Sequence, residues 1–483
     1  MRGPRTGKAA PGEPTFDGWA TVELDRRAIL HGPPVVDDAT VHLVVDLALR
    51  IGDLQLAGGA GAADVTATMH AVTEAYSLPQ CDVDVIFTSI TVSCRRGVEA
   101  SPVTTTRVVQ FRSLDYTRLA ALDHLVLRIV RRQLTASQAY TELDALIGGD
   151  RTYPRWVATL SWAGMAASLA VLFSAGFGSR VVFGAVFALA LLAAVVTALV
   201  DRIGRVLNRR SLPFFFQQVV GAGVVTTVSV ELQAHAGKYL PHGLTTALLL
   251  AAGLTVLLSG FSVVSTVQDA ITGFYVTAAG RAFEVALMTT GLVVGVVLVL
   301  QATAGDNGGP AVPIPPAFPA PQLDRMEVLV PAAALAAAFF ALASYAPPRA
   351  LLGAGLAGAV SFGAYGLAIA ASIGPTGASG LAAIIVGFMG RVVSRRLRLP
   401  PLVLAVAGIT PLLPGLSTYR GVLELTVYKN PTGLITLLSA ASIALALAAG
   451  VVLGEFLAQP VRKGLSRLER RLAHPRLIGP MEE

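Results

Sequence analysis

The chain has 483 residues, of which 54% are hydrophobic and only 14% are charged, and its formal net charge is +7. Because a soluble globular protein carries about 25% charged residues, this composition indicates a membrane protein. It excludes a disulfide scaffold, a fibrous protein and a nucleic-acid binder. Residues 156–456 hold 24 of the 67 charged residues, and the other 182 residues hold 43. The sequence therefore predicts a soluble N-terminal α/β domain followed by a polytopic α-helical membrane domain.

The N-terminal 150 residues divide into two predicted parts. Residues 1–37 are rich in Pro, Gly and charge and lack an apolar run, so they indicate a disordered segment and no signal peptide. Residues 38–150 predict a cytoplasmic α/β domain with the order ααβββαα. Some of its segments have apolar residues at helical spacing, and others have an apolar residue at every second position, as in strands. The predicted helices span 38–57, 62–76, 116–133 and 136–147, and the strands lie within 81–97 and 104–112.

The cysteines of the chain are Cys81 and Cys94, and both lie in the predicted soluble domain. They are not arranged as a C-x-x-C pair, and two thiols do not form a disulfide framework. We expect both to be small buried hydrophobic residues.

Beyond residue 150 the sequence predicts ten membrane spans in two groups of five, each long enough to cross about 30 Å of hydrocarbon. The first half, 151–302, is separated from the second half, 326–458, by a Pro-rich linker at 303–325, and a basic tail occupies 459–483. The predicted spans are 156–175, 181–200, 212–235, 244–266 and 282–302, then 327–345, 350–371, 379–397, 401–420 and 432–456.

Basic residues predict the orientation of these spans. With the N-terminus inside, 18 Lys and Arg residues fall on the cytoplasmic side and five on the opposite side, which favours two cytoplasmic termini and an extracytoplasmic linker. Because five is odd, two repeated halves would have opposite orientations, as is common in secondary transporters. An even division of ten spans around one loop by chance is the alternative.

Polar residues gather where the fourth and fifth predicted spans are joined. The candidates for transport there are Gln268, Asp269, Gly273, Arg281 and Glu284. Arg281 and Glu284 have the i, i+3 spacing of a helical ion pair, whereas Asp269 has no adjacent cation in the sequence. We therefore expect Asp269 and Glu284 to be better candidates for carrying a proton than Glu231, which lies near the outer end of its span.

The ninth predicted span is interrupted by Pro411, Pro414 and Gly415. Proline removes a backbone donor and breaks the helix, and freed backbone groups at membrane depth are typical of transporter substrate sites. The spacing predicts a substrate site here, with a hydroxyl from Ser417, Thr418 or Tyr419 reading the substrate and Arg420 nearby. A proline kink that only packs helices is the alternative interpretation.

Catalytic and cofactor motifs are missing from the sequence. It contains no G-x-x-x-x-G-K-[ST] loop, no zinc-ligand set and no G-x-S-x-G elbow. This favours a secondary transporter without cofactor or metal over an enzyme or an ATP-driven pump.

The sequence closely resembles the actinobacterial threonine/serine exporter family, in its fused two-half form, over about residues 40 to 460. The resembling motifs are LRIGD (49–53), DVD (82–84), TSITV (88–92), LPFFFQ (212–217), QDAITG (268–273), YVTA (275–278), RAFE (281–284), PPL (400–402), AGITPLLPGL (407–416), YRG (419–421) and AGVVLGE (449–455). One departure is Tyr275, where the family has a proline.

The resemblance implies a multi-pass protein of the cytoplasmic membrane that exports L-threonine and L-serine and is driven by the proton motive force. The resemblance does not specify the oligomeric state, and a homo-oligomer is compatible with it. Two alternatives remain beside this interpretation: a membrane-bound enzyme with a hydrolase-like cytoplasmic domain, and a passive amino-acid channel.

Overall fold

The computed structural model describes residues 37–78, 80–95, 101–110, 114–176, 183–236, 244–257, 260–303, 321, 323–397, 399–426 and 428–473. We refer to residues 37–150 as the N-terminal region. Its elements have the predicted order: α1 Asp38–Ala57, α2 Ala62–Ala75, β1 Cys81–Ile86, β2 Ser89–Cys94, β3 Val103–Val108, α3 Tyr116–Val130 and α4 Ala136–Gly148.

Local sequence signals explain where these helices begin and end. Helix α1 ends before Gly58 and Gly59, and Gly59 has a φ of +89°, which glycine adopts without steric cost. Helix α3 begins after Asp115, whose side chain accepts a hydrogen bond from the Arg118 amide, and α4 begins with a capping box of Thr135 and Gln138.

The three strands form an antiparallel sheet in the order β1-β2-β3. The apolar faces of the helices and the inward-facing strand residues share one hydrophobic core, which includes Val44, Ile51, Met69, Ile90 and Leu122. The start of α3 belongs to a different cluster, because Tyr116, Leu119 and Ala120 pack with residues of the long apolar helices.

The prediction for Cys81 and Cys94 was wrong in one respect. Both are buried as expected, but a disulfide bond joins them. The two cysteines face each other directly in the pairing of β1 with β2. Facing residues of adjacent strands are close neighbours, so this register brings the two sulfur atoms together. The spacing of the two cysteines in the sequence does not by itself specify the register.

The remaining helices are longer and more apolar. They are α5 Arg155–Gly176, α6 Phe183–Arg209, α7 Phe214–Ala236, α8 Leu244–Leu257, α9 Gly260–Ile271, α10 Tyr275–Thr303, α11 Met326–Ala343, α12 Pro348–Ala370, α13 Pro375–Leu397, α14 Pro401–Ile409, α15 Gly415–Thr426 and α16 Thr432–Ala473. Within the described residues, eight helices are long and apolar enough to cross a membrane, or up to ten spans if each of two bent pairs is one. The protein is thus a multi-pass membrane protein.

The bent pairs are α8 with α9, at 51°, and α14 with α15, at 49°. The second pair confirms the predicted interruption of the ninth span, because a short 3₁₀ turn at Thr410–Leu412 separates its two helices. The first pair corrects the prediction of a continuous fourth span followed by a loop. Gln268 and Asp269 lie inside helix α9 and not in a loop.

Helix α16 also extends further than predicted. It continues to Ala473 and so includes most of the basic segment at 459–483. Leu, Lys, Arg and Glu are strong helix formers, and they dominate residues 461–473.

The same order of helices occurs on both sides of residues 304–322. In each group three continuous helices come first, a bent pair follows, and a long helix comes last. The third and last helices of each group also pack through glycines: Gly295 of α10 lies against Val219 of α7, and Gly387 of α13 lies against Val451 of α16. Small residues allow this close approach of helices in membranes.

Candidate functional site

The N-terminal region contacts the end of α9 and the start of α10 through a buried ion pair. Arg281 Nη1 lies 2.7 Å from Asp269 Oδ2, and these side chains are 3% and 0% exposed. The Asp269 carboxylate also accepts a hydrogen bond of 2.7 Å from the Ala62 amide, and Arg281 Nη2 donates to the Ala60 carbonyl at 3.3 Å. Residues more than 200 positions apart in the chain therefore meet here.

The position of Asp269 is electrostatically favourable. Ala62 is the first residue of α2, and the amides at a helix N-terminus carry partial positive charge that attracts a carboxylate. Gly61 precedes this helix, and a Cβ there would lie 3.1 Å from the Gln268 side chain. The loop between α1 and α2 is thus fitted closely to α9.

A second contact lies beside it, at the turn between β1 and β2. Phe87 has a φ of +55° in this turn. Its amide donates a hydrogen bond of 3.0 Å to Thr277 Oγ1, and that hydroxyl donates to the Val85 carbonyl at 2.9 Å. At Gly280 a Cβ would lie 2.9 Å from the Phe87 ring. The YVTAAG stretch thus serves to hold the N-terminal region.

Charged groups from two further helices complete this interface. Gln268 Nε2 donates to Asp64 Oδ2 at 3.1 Å. The Asp64 side chain is exposed, but the surrounding protein partly desolvates its carboxylate and so raises its pKa, and the nearby Arg391 guanidinium of α13 partly offsets this effect. Glu455 of α16 interacts electrostatically with Asp64 and Arg391.

The N-terminal region also contacts the second group of helices. The Tyr116 amide donates to the Ser344 carbonyl at 3.0 Å, and Thr117 donates to the Tyr345 carbonyl through both its amide and its hydroxyl, at 3.2 and 2.6 Å. These carbonyls belong to the turn between α11 and α12. All contacts of the N-terminal region described so far therefore lie at one end of the helix bundle.

Of the residues predicted between spans four and five, the structure brings Gln268, Asp269 and Arg281 together. In the structure Arg281 forms an ion pair with Asp269, which has no adjacent cation in the sequence. Glu284 is half-buried one turn further along α10, and Gly273 forms the turn before α10 with a φ of +92°. The sequence could not show this pairing because the partners are not adjacent along the chain.

The two bent pairs meet each other at Gly415. A Cβ at Gly415 would lie 2.8 Å from the Cβ atom of Thr255, a buried residue of α8. Only glycine allows α15 to approach α8 this closely. The break predicted in the second half is therefore packed against the bent pair of the first half.

A large cavity of about 530 Å³ lies beside this crossing. Both bent pairs line it, through Gly253 and Leu257 on one and Thr410 and Leu413 on the other. Leu114 of the N-terminal region also borders the cavity. Its other part is lined by polar residues near the ends of α5, α6 and α7, namely Arg155, Asp201, Arg205, Asn208 and Gln217.

A small cavity of about 360 Å³ lies on the other side of the 3₁₀ turn. It is lined by Pro411, Pro414, Ser417 and Arg420 and by the first turns of α13 and α16. By the path of the chain, those turns lie at the end of the bundle opposite to the N-terminal region. Leu413 borders both cavities, so the break forms a thin wall between them.

Polar groups in the large cavity were missed by the sequence analysis. Asp201 and Arg205 form an ion pair of 3.0 Å, and Thr159 donates to Asp201 at 2.7 Å. Gln218 Nε2 donates to the carbonyl of Leu257, the last residue of α8, at 3.4 Å. The i, i+4 spacing of Asp201 and Arg205 is a signal that could have indicated the first pair.

A similar pair borders the small cavity. Arg420 Nε donates to Glu424 Oε1 at 2.6 Å, and the Thr436 hydroxyl donates to Glu424 Oε2 at 2.7 Å. Glu424 is buried and was not among the predicted site residues. Thr418 donates its hydroxyl to the Pro414 carbonyl at 2.7 Å, and Tyr419 packs among apolar residues of the first group.

Comparison with models of known protein families identifies the family to which this chain belongs. A family model described as a threonine/serine exporter matches residues 46–303, and a second one with that description matches residues 330–457. The chain belongs to the threonine/serine exporter family. This confirms the resemblance found in the sequence, and it makes the protein an exporter and not an enzyme.

Two curated relatives of the exporter cover most of its length. A probable threonine/serine exporter of Mycobacterium tuberculosis is 41% identical over 90% of this chain and 80% of its own, and the threonine/serine exporter of Corynebacterium glutamicum is 33% identical over 92% and 89%. No solved structure matches the exporter. Among the described residues, no three His, Cys, Asp or Glu side chains form a group that could hold a metal ion.

Proposed function

We propose that this protein exports L-threonine and L-serine across the cytoplasmic membrane as a secondary transporter driven by the proton motive force. The observation that carries the proposal is the meeting of two bent helix pairs, one from each group, beside a cavity of about 530 Å³. Interrupted helices at equivalent places in two halves are characteristic of substrate sites in secondary transporters. The names of both relatives support the choice of substrate.

The proposed route runs from the large cavity to the small one through the wall at Leu413. The polar residues that line the large cavity lie at the end of the bundle that carries the N-terminal region, and the excess of basic residues favours a cytoplasmic location for this end. The small cavity would then face outward. In an exporter, substrate enters the first cavity and leaves through the second.

The break suits a zwitterionic substrate. An amino acid carries both an ammonium and a carboxylate, and interrupted helices present backbone carbonyls and amides that can bind both. Pro411, Pro414 and Gly415 create these ends in the second group, and we propose that they form part of the substrate site. Thr418, whose hydroxyl bonds the Pro414 carbonyl, would position this backbone.

Proton coupling is proposed to act through Asp269, with Glu284 as the second candidate. Protonation would remove the charge by which Asp269 binds Arg281 and the Ala62 amide. Proton binding at this carboxylate would therefore be linked to the attachment of the N-terminal region, because a group bound differently in two states shifts their equilibrium.

Proteoliposomes containing the full-length protein test the proposal. We expect threonine and serine fluxes that rise when a pH gradient is imposed and collapse when a protonophore is added. A flux that ignores the protonophore would indicate a passive channel and contradict proton coupling. The absence of any threonine or serine flux would contradict the substrate assignment.

A further inference from the structure

Two buried polar atoms in the large cavity have no hydrogen-bond partner among the residues that the structure describes. They are Oε1 of Gln218 on α7 and Oγ1 of Thr197 on α6. The residues are 4% and 5% exposed, and both line the cavity. Leaving a buried polar atom without a partner costs about 1–3 kcal/mol, so a polar ligand that enters the cavity would be stabilised by bonding to these atoms.

The amide of Gln218 is held in one orientation. Its nitrogen donates to the carbonyl of Leu257, at the C-terminal end of α8, where helix carbonyls lack an intrahelical donor. Only the NH₂ group of the amide can face a carbonyl. Its oxygen is therefore the atom left for another group, and this oxygen can only accept a hydrogen bond.

The residues around Gln218 favour a neutral hydrogen-bond donor over a charged one at its Oε1 atom. Val200, Gly221, Val225 and Leu257 also line the cavity. A Cβ at Gly221 would lie 3.3 Å from both Val200 and Leu257, so these walls are close together. An ammonium bound to one neutral oxygen in an apolar wall would lose most of its hydration without compensation. A hydroxyl on a short side chain needs only one acceptor.

We propose that Gln218 determines specificity by accepting a hydrogen bond from the β-hydroxyl of the substrate at its Oε1 atom. The proposal rests on the proposed export of threonine and serine and adds the residue that recognises them. A site that bonds a hydroxyl rejects an analogue without one, because the acceptor is then left buried and unpaired. Valine, in which a methyl group replaces the hydroxyl of threonine, is the matched analogue.

The test compares the variant Gln218→Met with the control Gln217→Met in proteoliposomes. Gln217 lines the same cavity, and its amide likewise donates to a backbone carbonyl, that of Leu212, at 2.9 Å. The measurement is the ratio of threonine to valine initial rates. We expect Gln218→Met to lower this ratio by about tenfold or more, and we expect Gln217→Met to leave it within about twofold of the wild type.

An unchanged ratio in Gln218→Met, or an equal loss of threonine and valine transport, would overturn the proposal. In either case wild-type transport of threonine would keep the proposed function intact. A wild-type protein that transports neither threonine nor serine would instead contradict the proposed function itself.

Wild-type protein gives a second measurement if Gln218→Met does not reach the membrane. O-methyl-L-threonine keeps the ether oxygen but cannot donate, and L-2-aminobutyrate lacks the oxygen. We expect the wild type to transport both analogues far more slowly than threonine. In the variant Gln218→Asn, whose side chain is one methylene shorter, we expect a smaller difference in rate between threonine and these analogues. Fast transport of O-methyl-L-threonine by the wild type would contradict an acceptor at Gln218.

Discussion

Replacing Asp269 by Asn should detach the N-terminal region and abolish proton-coupled export. The change removes the carboxylate that lies 2.7 Å from the Arg281 guanidinium, a side chain that is 3% exposed. Removing one member of a buried ion pair typically destabilises by about 3–5 kcal/mol. Since 1.4 kcal/mol corresponds to a factor of ten, the equilibrium for this contact should shift by about two to three and a half orders of magnitude.

Glu231→Gln is the matched control for this variant. Glu231 also pairs with a basic side chain, that of His235 at 3.3 Å, but the two side chains are 61% and 80% exposed. Exposed pairs contribute about 0–1 kcal/mol. We therefore expect Glu231→Gln to keep nearly wild-type export and Asp269→Asn to lose it, with both variants compared at equal abundance in the membrane.

Attachment of the N-terminal region is measured separately by hydrogen exchange of the amides in residues 58–64. Asp269→Asn should increase exchange there, and the double variant Asp269→Asn with Arg281→Gln should recover part of the protection, because it also removes the buried guanidinium charge. Equal losses in Asp269→Asn and Glu231→Gln, or unchanged exchange in residues 58–64, would refute this reasoning.

Three further predictions follow from other parts of the structure. In a background without the native cysteines, an impermeant thiol reagent applied to intact cells should label a cysteine at position 310 and not one at 208; the reverse would overturn the topology. Gly415→Ala should reduce stability by about 1–3 kcal/mol through overpacking and lower threonine and serine export together. Thr418→Val, which removes one hydrogen bond worth about 1 kcal/mol, should lower both only severalfold. Normal export by Gly415→Ala would contradict the close contact between α15 and α8. The surrounding protein partly desolvates the exposed Asp64 carboxylate and raises its pKa, so its protonated form favours the attached state. Protection of residues 58–64 should therefore increase as pH falls through that raised pKa. Asp64→Asn should remove this dependence, and an unchanged dependence in that variant would exclude Asp64 as its cause.

Much of the fold could be predicted because its signals are local. Gly58 and Gly59 end α1, and apolar length identifies the spans. The break in the ninth span was evident because Pro411 and Pro414 cannot continue a regular helix. The bend after Leu257 has no proline to mark it, so the fourth span was predicted as continuous.

The candidate site was harder to predict because its contacts join distant parts of the chain. From sequence, Arg281 has a neighbour only in Glu284, whereas in the structure it pairs with Asp269 and bonds the backbone at Ala60. Gln218 gave no signal at all, since its significance depends on the carbonyl of Leu257 and on a cavity formed by several helices.

The N-terminal region is fastened to both groups of helices at the same end of the bundle, at Asp269 and Arg281 in the first group and at Ser344 and Tyr345 in the second. It therefore acts as a brace between the two groups of helices. Any movement that changes the separation of these two anchor points must break one of them or deform the region between. The ion pair is buried and charged, whereas the other anchor combines hydrogen bonds to two turn carbonyls with apolar packing of Tyr116. The opposite end of the bundle has no corresponding brace among the described residues, so the two groups of helices can separate there without breaking these anchors.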